Sequence, residues 1–449
     1  MLAAAVAPAI MASGAQPPAT AGISASRCST SYLALALRVP HVTVDFAVLD
    51  TTGRYTPPGS TTPITGLHGF CAVALTQNDS ARNPIHIAVW LPVKWNGRFQ
   101  GIGGGGYSCG ISYAPTAEFV SPSLDETVKG GYASASTDYG NPVADAFTGA
   151  WGLKLDSKLN WPLINDWASA GIHDMTVARE AVTRAYYPGK LSYSGFDGCS
   201  TGGREALQEA QQYPDDYNGI VAGSPAINWP SWVPAAIWPA LVMNQTHDAL
   251  PTCKEEAFTN AVVKACGTRG VITNPADCHW SAALSYPQFG KLPAQSVREF
   301  SSLVATNNPD LSAFRDHGGK IVIWAGTADE LINPQGTVQY YRNVQQTMGG
   351  ATKTDSFARL FLAPGAAHCA NGAGPAPTDP VAAVVKWAEH GQAPQSITAT
   401  LTNPATGAVT LSWPICAYPR VARYTGHGSP SQARNYTCAS PRTGTGGEA

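Results

Sequence analysis

The chain is expected to fold as an α/β protein with a mainly parallel, doubly wound sheet, and three observations lead there. Short β-favouring runs (Gly131–Asp138, Leu191–Phe196, Tyr217–Pro225, Lys320–Ala325 and Leu360–Leu362) recur with helix-like stretches between them, the alternation that builds such a sheet. One run leads into Gly198-Cys199-Ser200-Thr201-Gly202, a G-x-S-x-G corner, with helix formers from Arg204 to Gln212 beyond it. The 449 residues are 44% hydrophobic and 13% charged, which suits one large α/β domain with an insertion, or two domains, and argues against disorder.

In chain order, Met1–Ala21 is Ala-rich and uncharged and reads either as a signal peptide without its basic start or as a disordered leader. The core's first part is placed at residues 28–228. Val42–Val48, His68–Leu75 and Ile85–Leu91 are the clearest early strands, and a local disulfide is the simplest use for Cys28 and Cys71. The run Gly103-Gly104-Gly105-Gly106 has no lysine-bearing phosphate motif after it. With a serine corner downstream, such a run suits an oxyanion hole, because glycine lets a backbone N–H approach a substrate oxygen. Helical periodicity spans about Trp161–Ala185. Residues 229–306 hold Trp229, Trp232, Trp238 and Trp280 with Cys253, Cys266 and Cys278 and lack sheet strands. They are read as a lid inserted at the carboxyl edge of the sheet, where ligands bind in open α/β folds; one or two of the tryptophans are expected to line an aromatic cleft. Core strands return in residues 307–449, followed by a helix at Pro380–His390. The tail from Ile397 carries two β-like runs with Cys416 and Cys438, and the Gly-rich end after Pro441 is expected to fray.

A serine placed at a strand-to-helix corner needs a base and an orienting acid. In the α/β-hydrolase fold these follow in the order Ser, Asp/Glu, His. Asp329 lies just past the Ile321–Ala325 strand and His368 just past Leu360–Leu362. The expected roles are Ser200 as nucleophile, His368 as proton carrier and Asp329 as orienting acid, with Glu330 as a rival acid. Thr201, Gly104 and Gly105 are the expected backbone donors of the oxyanion hole.

With Asp329 between them, Cys199-Ser200 and His368-Cys369 resemble the arrangement of the tannase and feruloyl esterase family, which includes mono(2-hydroxyethyl) terephthalate hydrolases. Gly219-Ile-Val-Ala-Gly-Ser-Pro-Ala226, Gln211-Gln-Tyr-Pro214 and Cys416-Ala-Tyr-Pro419 support the resemblance, which runs from Cys28 to Cys438. It implies an α/β-hydrolase with a lid, acting on esters of phenolic or aromatic acids, and a disulfide between Cys199 and Cys369. Physical reasoning agrees: closing a loop of about 170 residues is worth roughly 5 kcal/mol, and the bridge forces Ser200 and His368 into neighbouring loops. Cys28–Cys71, Cys266–Cys278 and Cys416–Cys438 complete the expected pairs, leaving Cys109 and Cys253.

Such families carry an Asp-rich calcium loop between the lid cysteines. Here Cys266–Cys278 is shorter, with Arg269 and Thr273 where acids would be wanted and Asp277 as its one acid. No metal site and no cofactor are therefore expected. The net charge of −2 gives no reason to expect nucleic acid or an anionic membrane as partner. No stretch reaches the ~18 apolar residues of a membrane span. Ten cysteines without C-x-x-C pairs point to an oxidising compartment, secreted or periplasmic. The leading expectation is a secreted feruloyl esterase-like enzyme acting on a small aromatic ester or a feruloylated polysaccharide. A tannase cleaving galloyl esters and a terephthalate-monoester hydrolase are the alternatives within its class; a non-catalytic binding protein on a hydrolase fold is the alternative from another class.

Overall fold

The computed structural model describes residues 25–79, 82–107, 110–115, 122–141, 149–247, 285–370, 372–403 and 406–441. The leader, Cys109, Cys253, the Cys266–Cys278 loop, Trp280 and the end after Pro441 lie outside or almost wholly outside these residues.

Nine strands form the central sheet: β1 (Val42–Asp50), β2 (Phe70–Gln77), β3 (Ile85–Pro92), β4 (Arg98–Ile102), β5 (Ala133–Thr137), β6 (Tyr193–Cys199), β7 (Gly219–Gly223), β8 (Lys320–Gly326) and β9 (Ala358–Ala363). Their spatial order is β1-β2-β3-β5-β4-β6-β7-β8-β9. The first three strands pair antiparallel, as does β3 with β5, and every pairing from β5 to β9 is parallel. The burial pattern explains the division. β1 alternates exposed and partly buried residues, as an edge strand with one wet face does, whereas every residue of β5 and β7 is buried, as parallel strands covered on both faces must be.

Helices at Thr30–Ala36, Gly171–Tyr186, Thr201–Gln212 and Pro334–Thr347 cover one face; Phe99, Phe196, Ile220 and Ile323 pack there against Met175, Val182, Leu207 and Val344. On the other face, Val322 and Phe361 pack with Val384 and Trp387 of helix Pro380–His390, and Trp90 packs with Leu124 and Val128. The fold is an α/β-hydrolase.

The helical stretch read at Trp161–Ala185 is continuous to Tyr186, but a wider π turn, Asp166–Ala170, interrupts it. In that turn the carbonyls of Trp167 and Ala168 accept hydrogen bonds from the fully buried Arg204 guanidinium at 3.2 and 2.7 Å. The guanidinium also lies 4.7 Å from the centre of the Trp167 ring. Carbonyls and a ring thus stand in for part of the water that a buried cation loses.

On the same helix His173 stacks on Tyr213, with centroids 4.0 Å apart, and its Nδ1 lies 2.7 Å from an Asp216 carboxylate oxygen. That hydrogen bond, against partial desolvation, raises the imidazole pKa above its ordinary value, and the charges of Asp216 and Asp174 add to the effect. A raised folded-state value stabilises fully below the unfolded pKa of about 6.5, and the stabilisation fades as pH climbs through the folded value. Thermal melts should therefore show wild type exceeding His173→Gln by most near pH 6, with the gap closing towards pH 9. A gap that widens with pH would refute this sign.

In the insertion, helices Trp229–Ala236 and Leu292–Val304 pack against each other. The chain leaves and re-enters the core at one place, where Thr306 N–H donates to Ile227 C=O at 3.1 Å and Asn307 Nδ2 to Asn228 Oδ1 at 3.1 Å. The tail forms hairpins Ser396–Thr402/Val409–Cys416 and Val421–Tyr424/Tyr436–Ala439, joined by Cys416–Cys438. Cys28–Cys71 ties the N-terminal segment to β2. Among the described residues no helix is long and apolar enough to cross a membrane.

Candidate active site

Strand β6 runs to Cys199 and the elbow helix begins at Thr201, three residues before the helix-forming run. Two glycines in a first helical turn are poor helix formers, yet packing requires them. A Cβ on Gly203 would lie 2.3 Å from the Gly223 carbonyl oxygen, one on Gly202 would lie 3.0 Å from the Gly104 carbonyl oxygen, and on the strand side one on Gly198 would lie 2.4 Å from Gly202. Between strand and helix Ser200 adopts φ 65° and ψ −119°, a conformation that costs a non-glycine residue on the order of 1–3 kcal/mol. Its backbone is pinned on both sides: its N–H donates to Gly223 C=O at 3.0 Å, and its C=O accepts from Arg204 at 3.0 Å and Ala226 at 3.2 Å.

Asp329 and His368 meet beyond the ends of β8 and β9. His368 Nδ1 lies 2.9 and 3.1 Å from the two Asp329 carboxylate oxygens. The Asp329 side chain is fully buried, and its Oδ1 also accepts the N–H groups of Leu331 at 3.0 Å and Ile332 at 2.7 Å. An ionised carboxylate only accepts, so Nδ1 carries the proton and Nε2 presents its lone pair. That Nε2 is buried and has no hydrogen-bond partner among the described residues. Glu330, the rival acid, binds the backbone N–H of His368 at 3.2 Å and steadies the loop, not the ring.

Cys199 and Cys369 form a disulfide with Cα atoms 5.8 Å apart across 170 residues of sequence. Ser200 follows one half-cystine and His368 precedes the other, so the bridge holds the two loops side by side. No hydrogen bond joins the serine hydroxyl to the imidazole here; such bonds often tighten only with substrate in place.

The glycine run lies against the elbow helix. Gly202 N–H donates to Gly104 C=O at 2.9 Å, and Thr201 Oγ donates to Gly106 C=O at 2.8 Å. Gly104, expected as an oxyanion donor, has its N–H taken by the Glu205 carboxylate at 2.9 Å, which a substrate oxygen would have to displace. The backbone N–H groups of Gly105 and Thr201 have no partner among the described residues. Of the three expected donors, these two are the ones whose N–H is not already bound within the described residues.

A cavity with about 640 Å³ of empty space, open mouth included, is lined by Tyr107, Trp151, Trp167, Trp229, Val233 and Phe300. The Tyr107 and Trp167 rings each lie within 5.2 Å of Trp229, apart from their own contact at 5.4 Å. Tyr107 directly follows the glycine run, and Trp229 lies three residues beyond Ala226, which binds Ser200. Of the other tryptophans in residues 229–306, Trp232 donates to Leu331 C=O at 2.8 Å, linking its helix to the Asp329 loop, and Trp238 is 46% exposed against Tyr286 and Phe289. Glu205, Tyr107, Trp151 and Trp167 were not legible as site residues. The only local signal is Glu205 within the elbow helix. Among the described residues no group of three or more His, Cys, Asp or Glu is placed to hold a metal ion.

The sequence profile described as "Tannase and feruloyl esterase" matches residues 71–286 and 281–439. A "probable feruloyl esterase" of Arthroderma benhamiae is 33% identical over 85% of this chain and 88% of its own length. The chain belongs to the tannase and feruloyl esterase family. As a member, it is a carboxylic ester hydrolase. A mono(2-hydroxyethyl) terephthalate hydrolase of Piscinibacter sakaiensis is 27% identical over 78% of this chain and 81% of its own. The fold of the family is seen in an Aspergillus niger tannin acyl hydrolase, with a TM-score of 0.73 at 20% identity over 94% of this chain and 97% of that one. It recurs in feruloyl esterase B of Aspergillus oryzae, with a TM-score of 0.69 at 23% identity over 92% and 99%.

Proposed function

We propose that the chain is a secreted serine esterase that cleaves esters of aromatic acids, feruloyl esters foremost, through an acyl-enzyme on Ser200. In this reading Ser200 Oγ attacks the ester carbonyl carbon as His368 Nε2 takes its proton, and Asp329 stabilises the resulting imidazolium. The carbonyl oxygen becomes an oxyanion received by the Thr201 and Gly105 N–H groups at the positive end of the elbow helix. Collapse expels the alcohol, which takes the proton from His368. Water, activated by the same imidazole, then releases the acid.

The observation that carries the mechanism is the buried Asp329–His368 pair, tethered by Cys199–Cys369 beside the strained Ser200. The aromatic acyl class is supported by the cavity lined by Tyr107, Trp151, Trp167, Trp229 and Phe300, because flat rings gain from edge and offset contacts with such walls. Secretion is supported by the three disulfides among the described residues, which persist in oxidising compartments.

The test is a panel of methyl ferulate, methyl gallate and a terephthalate monoester, with p-nitrophenyl acetate as a small reference. The kcat/KM for ferulate should lead the aromatic set by about tenfold, the order of discrimination a shaped apolar pocket supplies. A lead for gallate or for the terephthalate ester would transfer the assignment to that substrate. Absence of turnover with every ester would favour a binding protein.

A further inference from the structure

We infer that Glu205 is a positioning residue for the oxyanion hole, an inference that rests on the esterase reading of Ser200. The Glu205 side chain is fully buried one turn into the elbow helix. Its Oε2 accepts two hydrogen bonds, from Gly104 N–H at 2.9 Å and from the Tyr139 hydroxyl at 2.9 Å. Its Oε1 has no hydrogen-bond partner among the described residues and lies 4.0 Å from the Arg204 guanidinium. Burial pushes the carboxyl pKa up, and Arg204, Gly104 and Tyr139 oppose that push. A carboxylate kept in so costly a place needs a compensating task.

The contacts around the glycine run define that task. Gly103 N–H is bound by Asp197 C=O at 3.0 Å, and Gly104 C=O by Gly202 N–H at 2.9 Å. Gly106 C=O is bound by the Thr201 hydroxyl. With Glu205 taking Gly104 N–H, polar groups on both sides of Gly105 are committed to the elbow strand or helix, and Gly105 N–H is left for substrate. The bond from Gly202 to Gly104 C=O orients the planar peptide that carries Gly105 N–H, and Glu205 fixes the peptide before it. Because glycine backbones rotate easily, losing the Glu205 contact would free rotation about Gly104 and leave Gly105 N–H held by one bond alone. The spacing reinforces the contact, since a Cβ on Gly103 would already lie 3.1 Å from Glu205 Oε2 and 2.6 Å from Gly202 Cα. Glu205 thereby couples the two halves of the hole: Thr201 begins the helix that carries Glu205, and Glu205 fixes the loop that carries Gly105. Tyr139, which follows β5 at φ 55°, steadies the carboxylate through a second hydrogen bond to the same oxygen.

A residue acting this way should affect the transition state and leave ground-state binding alone. Glu205→Leu should lower kcat on methyl ferulate about 10²-fold, the scale of losing one oxyanion donor, with KM within threefold. The inhibition constant of an aryl boronic acid, whose adduct with Ser200 mimics the tetrahedral state, should rise in parallel, while that of free ferulic acid stays unchanged. Glu205→Gln keeps an oxygen towards Gly104 and should recover kcat to within about fivefold of wild type. If the leucine variant does not fold, Glu205→Asp serves: its shorter arm withdraws the carboxylate, and kcat and boronate affinity should each fall at least tenfold. A folded Leu or Asp variant with unchanged kcat and boronate affinity would overturn the inference, as would equal losses for boronate and ferulic acid. Boronate inhibition surviving in Ser200→Ala would instead overturn the nucleophile assignment, so the two failures are distinguishable.

Discussion

Ser200→Ala is expected to lower kcat on every ester tested by about five orders of magnitude while leaving the fold intact, because members of a serine triad act as one unit. The size follows from the geometry. The side chain stands at a corner where φ is 65°, in the loop next to His368, and among the described residues no hydroxyl is hydrogen-bonded to Nε2 of that base. Alanine also removes a polar atom without disturbing the backbone hydrogen bonds to Gly223, Arg204 and Ala226. The melting temperature should stay within about 2 °C of wild type, as befits a change worth a fraction of a kcal/mol. Circular dichroism and ester turnover, measured on one preparation, check both halves. Turnover within a factor of ten of wild type would remove Ser200 from the mechanism.

The second large effect separates two adjacent acids. Asp329→Asn should cost about 10³–10⁴ in kcat, since an amide facing Nδ1 disfavours the tautomer whose Nε2 accepts the serine proton. Glu330→Gln should cost less than about tenfold, because an amide oxygen still accepts the His368 N–H. The structure explains the asymmetry: Asp329 is buried and contacts the ring at 2.9 Å, whereas Glu330 holds only backbone, at 3.2 Å. Steady-state kinetics across pH 5–9 on both variants is the measurement. A larger loss at Glu330 would reverse the roles.

Ser200, Asp329 and His368 were legible in the sequence for a shared reason. Each follows a short apolar run, so locating the strands β6, β8 and β9 also locates the loops where chemistry must converge. Disulfide-bonded neighbours, Cys199 and Cys369, added a distance constraint that a single sequence rarely supplies. The oxyanion loop was legible only as a loop: four consecutive glycines look alike, and what separates Gly104 from Gly105 is a carboxylate about 100 residues away in sequence. The cavity was less legible still. Tyr107, Trp151, Trp167, Trp229 and Phe300 come from five separate segments with no common period, and they meet because the end of the glycine run, the turn Ala150–Gly152, the π turn and the helices Trp229–Ala236 and Leu292–Val304 line one cavity. The antiparallel start of the sheet was hidden for another reason: isolated runs such as Val42–Val48 show that a strand exists but not which way its neighbour points.

The hydrogen bonds from Thr306 to Ile227 and from Asn307 to Asn228 bring the two ends of the insertion together at a single doorway. A segment with adjoining ends can be exchanged for another of different length without changing the spacing of the strands on either side. Ser200 lies upstream of the doorway and Asp329 and His368 downstream, so a graft between Asn228 and Thr306 would leave all three in the chain and would remove one contact with the Asp329 loop, the hydrogen bond from Trp232 to Leu331 C=O. It would replace the Trp229, Val233 and Phe300 wall of the cavity and keep the Tyr107, Trp151 and Trp167 wall. The cavity is thus half interchangeable: one wall travels with the cassette, and the other stays with the chassis.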